Sequence, residues 1–177
     1  SPADCTATVK ATIAAAGIDA PVYLRLTGSM NNPIVYKEDF DFEIGKAIEL
    51  RQGDDVAIIA TGSMVHCALK AAEHLEAMGI SASVLDMHTI KPLDITAVEA
   101  ACKRKLLVTV EEHSIIGGLG SAVAEKLALK TIHPPHLIIG APDVYPHAGD
   151  YVSLLDSCGL TPDKVAGKIL ETYKELF

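Results

Sequence analysis

The sequence predicts an α/β fold, namely a three-layer α/β/α sandwich around a mostly parallel sheet. Of the 177 residues 49% are hydrophobic but only 5% are aromatic, so aliphatic side chains must form the core. From residue 56 to the end, short apolar runs alternate with amphipathic helical patterns. This alternation implies parallel strands with helices on both faces of the sheet.

The elements are predicted in order along the chain. Apolar runs predict strands at residues 56–60, 83–87, 106–110 and 136–140. Apolar residues at helical spacing predict helices at 64–78, 94–103 and 121–130, and a short helix is expected at 149–157. Thr161, Pro162 and Asp163 form a start signal for a last helix, because proline is favoured in a first helical turn.

The first part of the chain is less regular. Residues 6–16 predict a helix that Gly17 ends, and residues 21–26 (PVYLRL) predict a strand. A turn-rich linker is expected at 27–33, and the most plausible domain boundary falls within 34–54.

Charge and composition exclude several classes of protein. The formal net charge of −8 without a basic stripe argues against nucleic acid and anionic membranes as partners. No apolar run approaches the roughly 20 residues that a membrane helix needs, and no signal peptide is recognised. The cysteines form no CxxC pair, which predicts reduced thiols in a cytoplasmic protein, with Cys67 and Cys102 in the core.

A glycine loop follows the third predicted strand, within VEEHSIIGGLGSAVAEKL at residues 110–127. Loops of this kind between a strand and a helix often hold phosphates. The dinucleotide fingerprint G-x-G-x-x-G is incomplete, because its third position falls on Val123. Two acids also precede the loop and would repel a phosphate. We therefore expect the glycines to serve a tight turn and a close helix–strand approach; they are Gly117, Gly118 and Gly120.

Several blocks of the sequence resemble one known domain. They are VEEHSIIGGLGSAVAE, DMHTIKPLD, ATGSMVHCALKAAEHL and the closing CGLTPDKVAGKIL. In order and spacing they are similar to the C-terminal domain of transketolase-like enzymes, which include transketolase, deoxyxylulose-phosphate synthase and the β-subunits of 2-oxoacid dehydrogenases. The resemblance implies an enzyme that transfers a two-carbon ketol unit between sugars with thiamine diphosphate and Mg²⁺.

The start of the chain extends the resemblance. SPAD, a helix and APVYLRL resemble the end of the pyrimidine-binding domain that precedes this domain in the family. The expected organisation is therefore 1–40 as the terminal helix and strand of that domain plus a linker, and 41–177 as the C-terminal domain. The family's cofactor motifs lie outside this segment, so neither thiamine diphosphate nor metal is expected on this chain alone. The implied partner is an N-terminal transketolase subunit or domain, in a homodimer or a heterotetramer.

One departure from the family concerns the substrate. Members that act on sugar phosphates often carry a second arginine shortly after the last strand of the pyrimidine-binding domain. Gly28 stands there, three residues after Arg25. Glycine has no side chain, so it cannot bind a phosphate through two hydrogen bonds as arginine does. The hypothesis is that the substrate is unphosphorylated or unusually placed, or that its phosphate is held elsewhere.

Six residues are candidates for a substrate channel or a subunit interface, and none is assigned as catalytic: Arg25, His88, Lys91, Glu111, Glu112 and His113. Arg25 could contact substrate or a neighbouring subunit, or pair with an acid. His113 could instead fix the glycine turn by a hydrogen bond to backbone. Glu111 and Glu112 face opposite sides of a strand, so one should pack against a helix terminus and the other should be solvated.

The other candidates also have structural alternatives. His88 and Lys91 lie on a turn that Pro92 explains, where Asp94 can cap the next helix. Ser63 could bind an anion or simply cap a helix.

Three alternatives stay open. The chain could be a stand-alone, non-catalytic partner of a separately encoded subunit. It could also be a fragment of a 2-oxoacid dehydrogenase β-subunit or of deoxyxylulose-phosphate synthase. A flavodoxin-like FMN binder shares the topology class.

Overall fold

A computed structural model describes residues 1–28 and 32–177 of the chain. The helices of this part are α1 (Cys5–Ala16), α2 (Met64–Ala77), α3 (Ile95–Ala101), α4 (Leu119–Leu127), α5 (Tyr151–Ser157) and α6 (Pro162–Leu176). Its strands are β1 (Ile48–Arg51), β2 (Val56–Ala60), β3 (Ala82–Asp86), β4 (Leu106–Ser114) and β5 (His136–Ala141).

The strands form one sheet in the order β1-β3-β2-β4-β5. Strands β2 to β5 pair in parallel, whereas β1 pairs antiparallel with β3 at one edge. The central strand β2 (VAIIA) is buried along its whole length. A strand that is apolar on both faces requires cover on both faces, as parallel sheets usually have.

The helices cover the sheet from both sides. Along β2, Ile58 packs into one core with residues of α2 and α6, and its neighbour Ile59 packs into a second core with residues of α3 and α4. Successive side chains of a strand point to opposite faces, so this alternation divides the two cores. The predicted three-layer α/β/α sandwich with a mostly parallel sheet is confirmed.

The structure corrects the predicted elements in three places. The strand expected at 21–26 is wrong: this stretch pairs with no strand among the residues that the structure describes. Strand β1 was not predicted, and β4 continues through polar residues to Ser114. The predicted linker at 27–33 includes residues 29–31, which lie outside the described part.

Polar contacts hold the N-terminal segment to the sheet. Asp4 caps α1 by accepting a hydrogen bond from the Ala7 amide (2.7 Å). The other oxygen of Asp4 accepts from the amides of Val35 (2.8 Å) and Tyr36 (2.9 Å). The Tyr36 hydroxyl then donates to Asp86 at the end of β3 (2.7 Å). Asp4 and Tyr36 thus reach the end of the sheet where the parallel strands terminate.

None of the described helices combines the length and the apolar character that crossing a membrane requires.

Candidate functional site

The carboxyl ends of β2, β3, β4 and β5 meet at one edge of the sheet because these strands are parallel. Open α/β sheets place their ligand sites at this edge. Most of the residues singled out from the sequence lie there, in the last residues of β4 or in the turns after the strands.

The side chain of Glu111 lies at the glycine loop, where a phosphate would bind in a nucleotide-binding protein. Its side chain is 1% exposed, and its carboxylate accepts hydrogen bonds from the amides of Leu119 (2.7 Å) and Gly120 (2.8 Å) at the N-terminus of α4. Helix N-termini attract anions through these free amides and the helix dipole. The loop does hold an anion, and that anion is the chain's own carboxylate.

The glycines of the loop make room for this arrangement. A Cβ atom on Gly118 would lie 2.0 Å from Oε2 of Glu111, and one on Gly120 would lie 2.5 Å from Cγ2 of Ile138 on β5. Side chains at these two positions would push the carboxylate or the sheet away from α4. Gly117 is exposed and donates its amide hydrogen to the Ser121 hydroxyl (2.8 Å). The predicted close approach of helix and strand is confirmed.

Glu112 joins three parts of the chain. Its Oε2 atom accepts hydrogen bonds from the hydroxyls of Ser63 and Tyr151, the latter at 2.6 Å. Its backbone carbonyl accepts from Nη2 of Arg25 (2.9 Å). One glutamate packs against a helix terminus, as predicted, but the expectation that the other is solvated is wrong, because Glu112 is half-buried and bonded.

Two further expectations change at this cluster. Ser63 stands at the start of α2 but makes no capping hydrogen bond with its side chain, since its hydroxyl donates to Glu112. Arg25 bonds a backbone carbonyl rather than an acidic side chain. Burial, followed by the hydrogen bond to Glu112, raises the pKa of Tyr151 to about 12, so the phenol remains a donor at neutral pH.

Tyr151 was not identified from the sequence. It lies 39 residues beyond Glu112, at the first turn of a seven-residue helix, and no local motif marks it. With Ser63 it borders a groove of about 560 Å³ between the starts of α2, α5 and α6. The lining of this groove is mainly apolar and includes Met64, Leu155 and Leu160.

His88 is buried rather than open to a channel. It is 3% exposed, its ring stacks on Phe42 (4.1 Å between centroids), and Nδ1 lies 2.8 Å from Oγ1 of Thr89. Burial lowers its pKa to about 4. The side chain is therefore neutral at neutral pH.

The next turn separates His88 from Lys91, which is exposed and precedes a cis peptide bond to Pro92. Asp94 caps α3 by accepting from the Ala97 amide (3.0 Å), as predicted, and also accepts from the Ala47 amide (3.0 Å).

His113 is exposed, and its Nδ1 lies 3.0 Å from the carbonyl oxygen of Ser114. Its ring thus interacts with the backbone carbonyl of the next residue and not with the glycine turn. The structure therefore brings Arg25 and Glu112 together, places Glu111 on the opposite face, and leaves His88, Lys91 and His113 apart from that cluster.

The N-terminus of α4 does not fit a diphosphate. The amides at the N-terminus of α4 are taken by Glu111, which repels a further anion. Within residues 1–28 and 32–177, no three histidine, cysteine, aspartate or glutamate side chains lie together in a way that could hold a metal ion. What Glu111 and Glu112 offer at this edge is a set of hydrogen bonds that join β4 to the starts of α2, α4 and α5.

Comparisons with known proteins agree on one relationship. Residues 45–165 match the family described as the transketolase C-terminal domain. A transketolase family protein of Sinorhizobium fredii is 42% identical over 178 residues, with 98% of this chain and 51% of that protein covered. A transketolase C-terminal section of Methanocaldococcus jannaschii is 43% identical over 157 residues, with coverages of 88% and 49%.

The solved structures agree with the sequences. A split-gene transketolase, described as an inactive β4 tetramer, superposes with a TM-score of 0.92 at 40% identity, covering 99% of this chain and 57% of that one. The chain thus spans about half the length of the curated relatives named above.

Proposed function

This chain belongs to the transketolase C-terminal domain family, and from that premise we propose that it is the C-terminal part of a transketolase-like enzyme. The enzyme would transfer a two-carbon ketol unit between sugars in carbohydrate metabolism. The observation that carries the proposal is the match to relatives that are themselves a C-terminal section or a split-gene transketolase. The chain alone serves assembly and carries no catalytic residue.

The cofactor of the complete enzyme is thiamine diphosphate with Mg²⁺, and we place both outside this chain. When bound, thiamine diphosphate supplies the carbanion chemistry of ketol transfer. The occupied amides at α4 support this placement. The task left to this chain is to position other parts of the enzyme.

The partner is the N-terminal part of a transketolase, either as a separate subunit or as a preceding domain. Relatives named as subunits support this, including a 6-deoxy-6-sulfo-D-fructose transketolase subunit of a Clostridium species that is 44% identical over 150 residues. The assembly would be a homodimer or a heterotetramer, in the cytoplasm as the cysteine pattern predicts.

Residues 1–40 would be the terminal helix and strand of a pyrimidine-binding domain plus a linker, and residues 41–177 the C-terminal domain. Two features support this division. The family match begins at residue 45. In addition, Val9 (59% exposed) and Ile13 (69%) on α1, with Tyr23 (87%) in the strand-like stretch, present apolar side chains to solvent. A strand-forming sequence without a partner strand is suited to pairing with a sheet in the rest of the enzyme.

The sugar would lack a phosphate at the position that the family's second arginine grips, because Gly28 stands there in a half-exposed stretch beside Arg25. A comparison of a free ketose with its phosphate in the complete enzyme tests this point. A large preference for the phosphate would refute it.

Reconstitution tests the proposed function. The chain is mixed with a polypeptide that carries the diphosphate- and pyrimidine-binding domains of a split transketolase, together with thiamine diphosphate and Mg²⁺. Ketol transfer from a ketose to an aldose acceptor should appear only in the mixture. Stoichiometric binding without any activity would instead favour a non-catalytic partner, and decarboxylation of a 2-oxoacid would favour the dehydrogenase alternative.

A further inference from the structure

The outer edge of β5 has no neighbouring strand within residues 1–28 and 32–177, since β5 stands last in the order of the sheet. Its one strand partner in this part of the chain is β4, to which it runs parallel. The unpaired amides and carbonyls of an edge strand can pair with another strand. Charged side chains commonly protect such edges, but β5 (HLIIGA) contains no aspartate, glutamate, lysine or arginine.

The register of β4 and β5 shows which residues of β5 face the free edge. Leu107 lies opposite His136, and its amide donates to the carbonyl oxygen of Pro135 (3.0 Å). At the other end of the strand, the Ile115 amide donates to the carbonyl oxygen of Ala141 (3.0 Å). Because alternate residues of a strand bond to the same neighbour, the odd-numbered residues of β5 bond to β4. The amides and carbonyls of residues 136, 138 and 140 therefore point away from the sheet.

Prolines limit this edge at both ends. The next even-numbered positions before and after the strand are Pro134 and Pro142. Since proline has no amide hydrogen to donate, a strand that is added here can form a full set of hydrogen bonds only with the residues between them. Ile138 lies midway between the two prolines. The free edge is therefore symmetrical about Ile138 in its hydrogen-bonding groups.

We propose that this edge pairs with the same edge of a second copy of the chain, antiparallel and around a two-fold axis at Ile138. A two-fold contact uses the same surface of both copies, and the symmetrical edge allows this. The backbones of the two Ile138 residues exchange hydrogen bonds with each other, and His136 of each copy exchanges them with Gly140 of the other. The two five-stranded sheets become one continuous sheet. The contact goes beyond the proposed function, because it involves this chain alone.

The charges beside β5 are compatible with this pairing. In an antiparallel pair around Ile138, positions equally far before and after Ile138 come together from the two copies. His133 and Asp143 are such positions, and both are exposed. Asp143 is also the only aspartate, glutamate, lysine or arginine between residues 131 and 145. The pairing thus brings an acid toward a histidine and sets no like charges opposite each other, which would destabilise it.

Exposed apolar side chains flank β5 with the same symmetry. Ile132 before the strand is 88% exposed, and Val144 (65%) and Tyr145 (102%) follow the strand. Ile132 and Val144 are equally far from Ile138 in opposite directions, so the pairing brings Ile132 of one copy toward Val144 of the other. Burial of these side chains adds a hydrophobic contribution to the hydrogen bonds of the edge. A second copy therefore covers apolar surface that this chain leaves open.

Sedimentation and hydrogen exchange test the pairing on this chain alone, so the result is independent of ketol transfer in a reconstituted enzyme. Sedimentation should show dimers that dissociate on dilution. The amides of residues 136, 138 and 140 should be protected in the dimer and should exchange rapidly in the monomer. The amides of Leu137 and Ile139 face β4 and should stay protected in both, which makes them internal controls. A chain that is still monomeric at about 1 mM, or a dimer whose even-numbered amides exchange freely, would overturn the proposal.

Two variants test the contributions of the edge and of its apolar flank. Ile138→Pro removes an amide that lies on the axis and is not bonded to β4, so dimers should be lost while amides of β2 keep their protection. Tyr145→Ser should weaken dimerisation by at least about tenfold through the loss of buried apolar area. Tyr23→Ser is the matched control, since Tyr23 is 87% exposed on another part of the chain. Equal dimerisation of the two tyrosine variants would contradict the proposed contact.

A measurement on the unaltered chain covers the case in which a variant fails to fold. Dimers are formed from a mixture of labelled and unlabelled chains, and NMR detects contacts between the two copies. With the axis at Ile138, Leu137 of one copy lies opposite Ile139 of the other as a non-hydrogen-bonded pair, whose Cα atoms are about 4.5 Å apart. A contact between their Hα atoms is expected. Contacts that correspond to another register, or to another surface of the chain, would refute the proposal.

Discussion

The sheet and the N-terminal segment of this chain differ in how much of their apolar surface they bury. In the sheet, β2 is completely buried, and apolar side chains from helices on both sides complete the cores on both faces. In the N-terminal segment, Ala7 and Tyr36 join one of these cores and Asp4 adds polar contacts. Val9, Ile13 and Tyr23, however, are largely exposed. The sheet is covered on both faces within this chain, whereas the segment also has an exposed apolar face suited to another surface.

Replacement of Glu111 tests the sheet side of this comparison and should have the largest effect. Glu111→Ala leaves the amides of Leu119 and Gly120 buried without an acceptor. We expect the free energy of unfolding to fall by about 3–5 kcal/mol, because each unsatisfied buried amide costs about 1–3 kcal/mol. Denaturant unfolding measures it.

Glu112→Ala is the matched control for that experiment. Its carboxylate is half-buried and bonds hydroxyls that can turn to water, so a loss of about 1 kcal/mol or less is expected. Equal losses in the two variants would contradict the structural role given to Glu111.

Replacement of Asp4 tests the attachment of the segment and should have an intermediate effect. Asp4→Ala removes the cap of α1 and the bonds to Val35 and Tyr36. Exchange of these two amides should accelerate by roughly 30-fold, equivalent to about 2 kcal/mol, while amides of β2 keep their protection.

Asp39→Ala serves as the control for Asp4, since the Asp39 carboxylate makes an exposed ion pair with Lys10. Such pairs contribute little, so exchange should be unchanged. If Asp4→Ala lowered the protection of β2 to the same degree, the segment and the sheet would open as one unit.

Replacement of Ile13 should have the smallest effect on the chain and a clear effect on assembly. Because Ile13 is 69% exposed, Ile13→Ser should leave the unfolding free energy of the isolated chain almost unchanged. Binding to the N-terminal transketolase polypeptide, followed by calorimetry, should weaken by about tenfold through the loss of buried apolar area. Leu129→Ser, at a still more exposed aliphatic position after α4, should bind normally. Normal binding by Ile13→Ser would show that the exposed apolar face of α1 is not part of the interface.

Most of the sheet could be predicted because β2 to β5 carry continuous apolar runs. Such runs can be recognised in the sequence before the pairing of the strands is known. The four-residue edge strand β1 was missed because IELR is too short to show a period. Residues 21–26 were wrongly predicted as a strand because the propensity of a sequence for β-structure is realised only when a neighbouring strand is present.

The site was predictable only where the contacts are local. The packing of a glutamate against a helix terminus and the cap by Asp94 follow from short sequence patterns. The contacts of Glu112 with Ser63 and Tyr151 span 49 and 39 residues, and those of Asp86 with Tyr36 span 50. Such pairs depend on how the elements pack, which no local pattern of the sequence records.

Calorimetric titration of this chain with thiamine diphosphate and Mg²⁺ tests the central claim most directly. With the amides of α4 held by Glu111 and no metal-ligand cluster in the described residues, no saturable heat of binding is predicted. Adding the N-terminal transketolase polypeptide should make binding appear. One-site binding of micromolar strength to this chain alone would contradict the account, because the chain would then carry a cofactor site of its own.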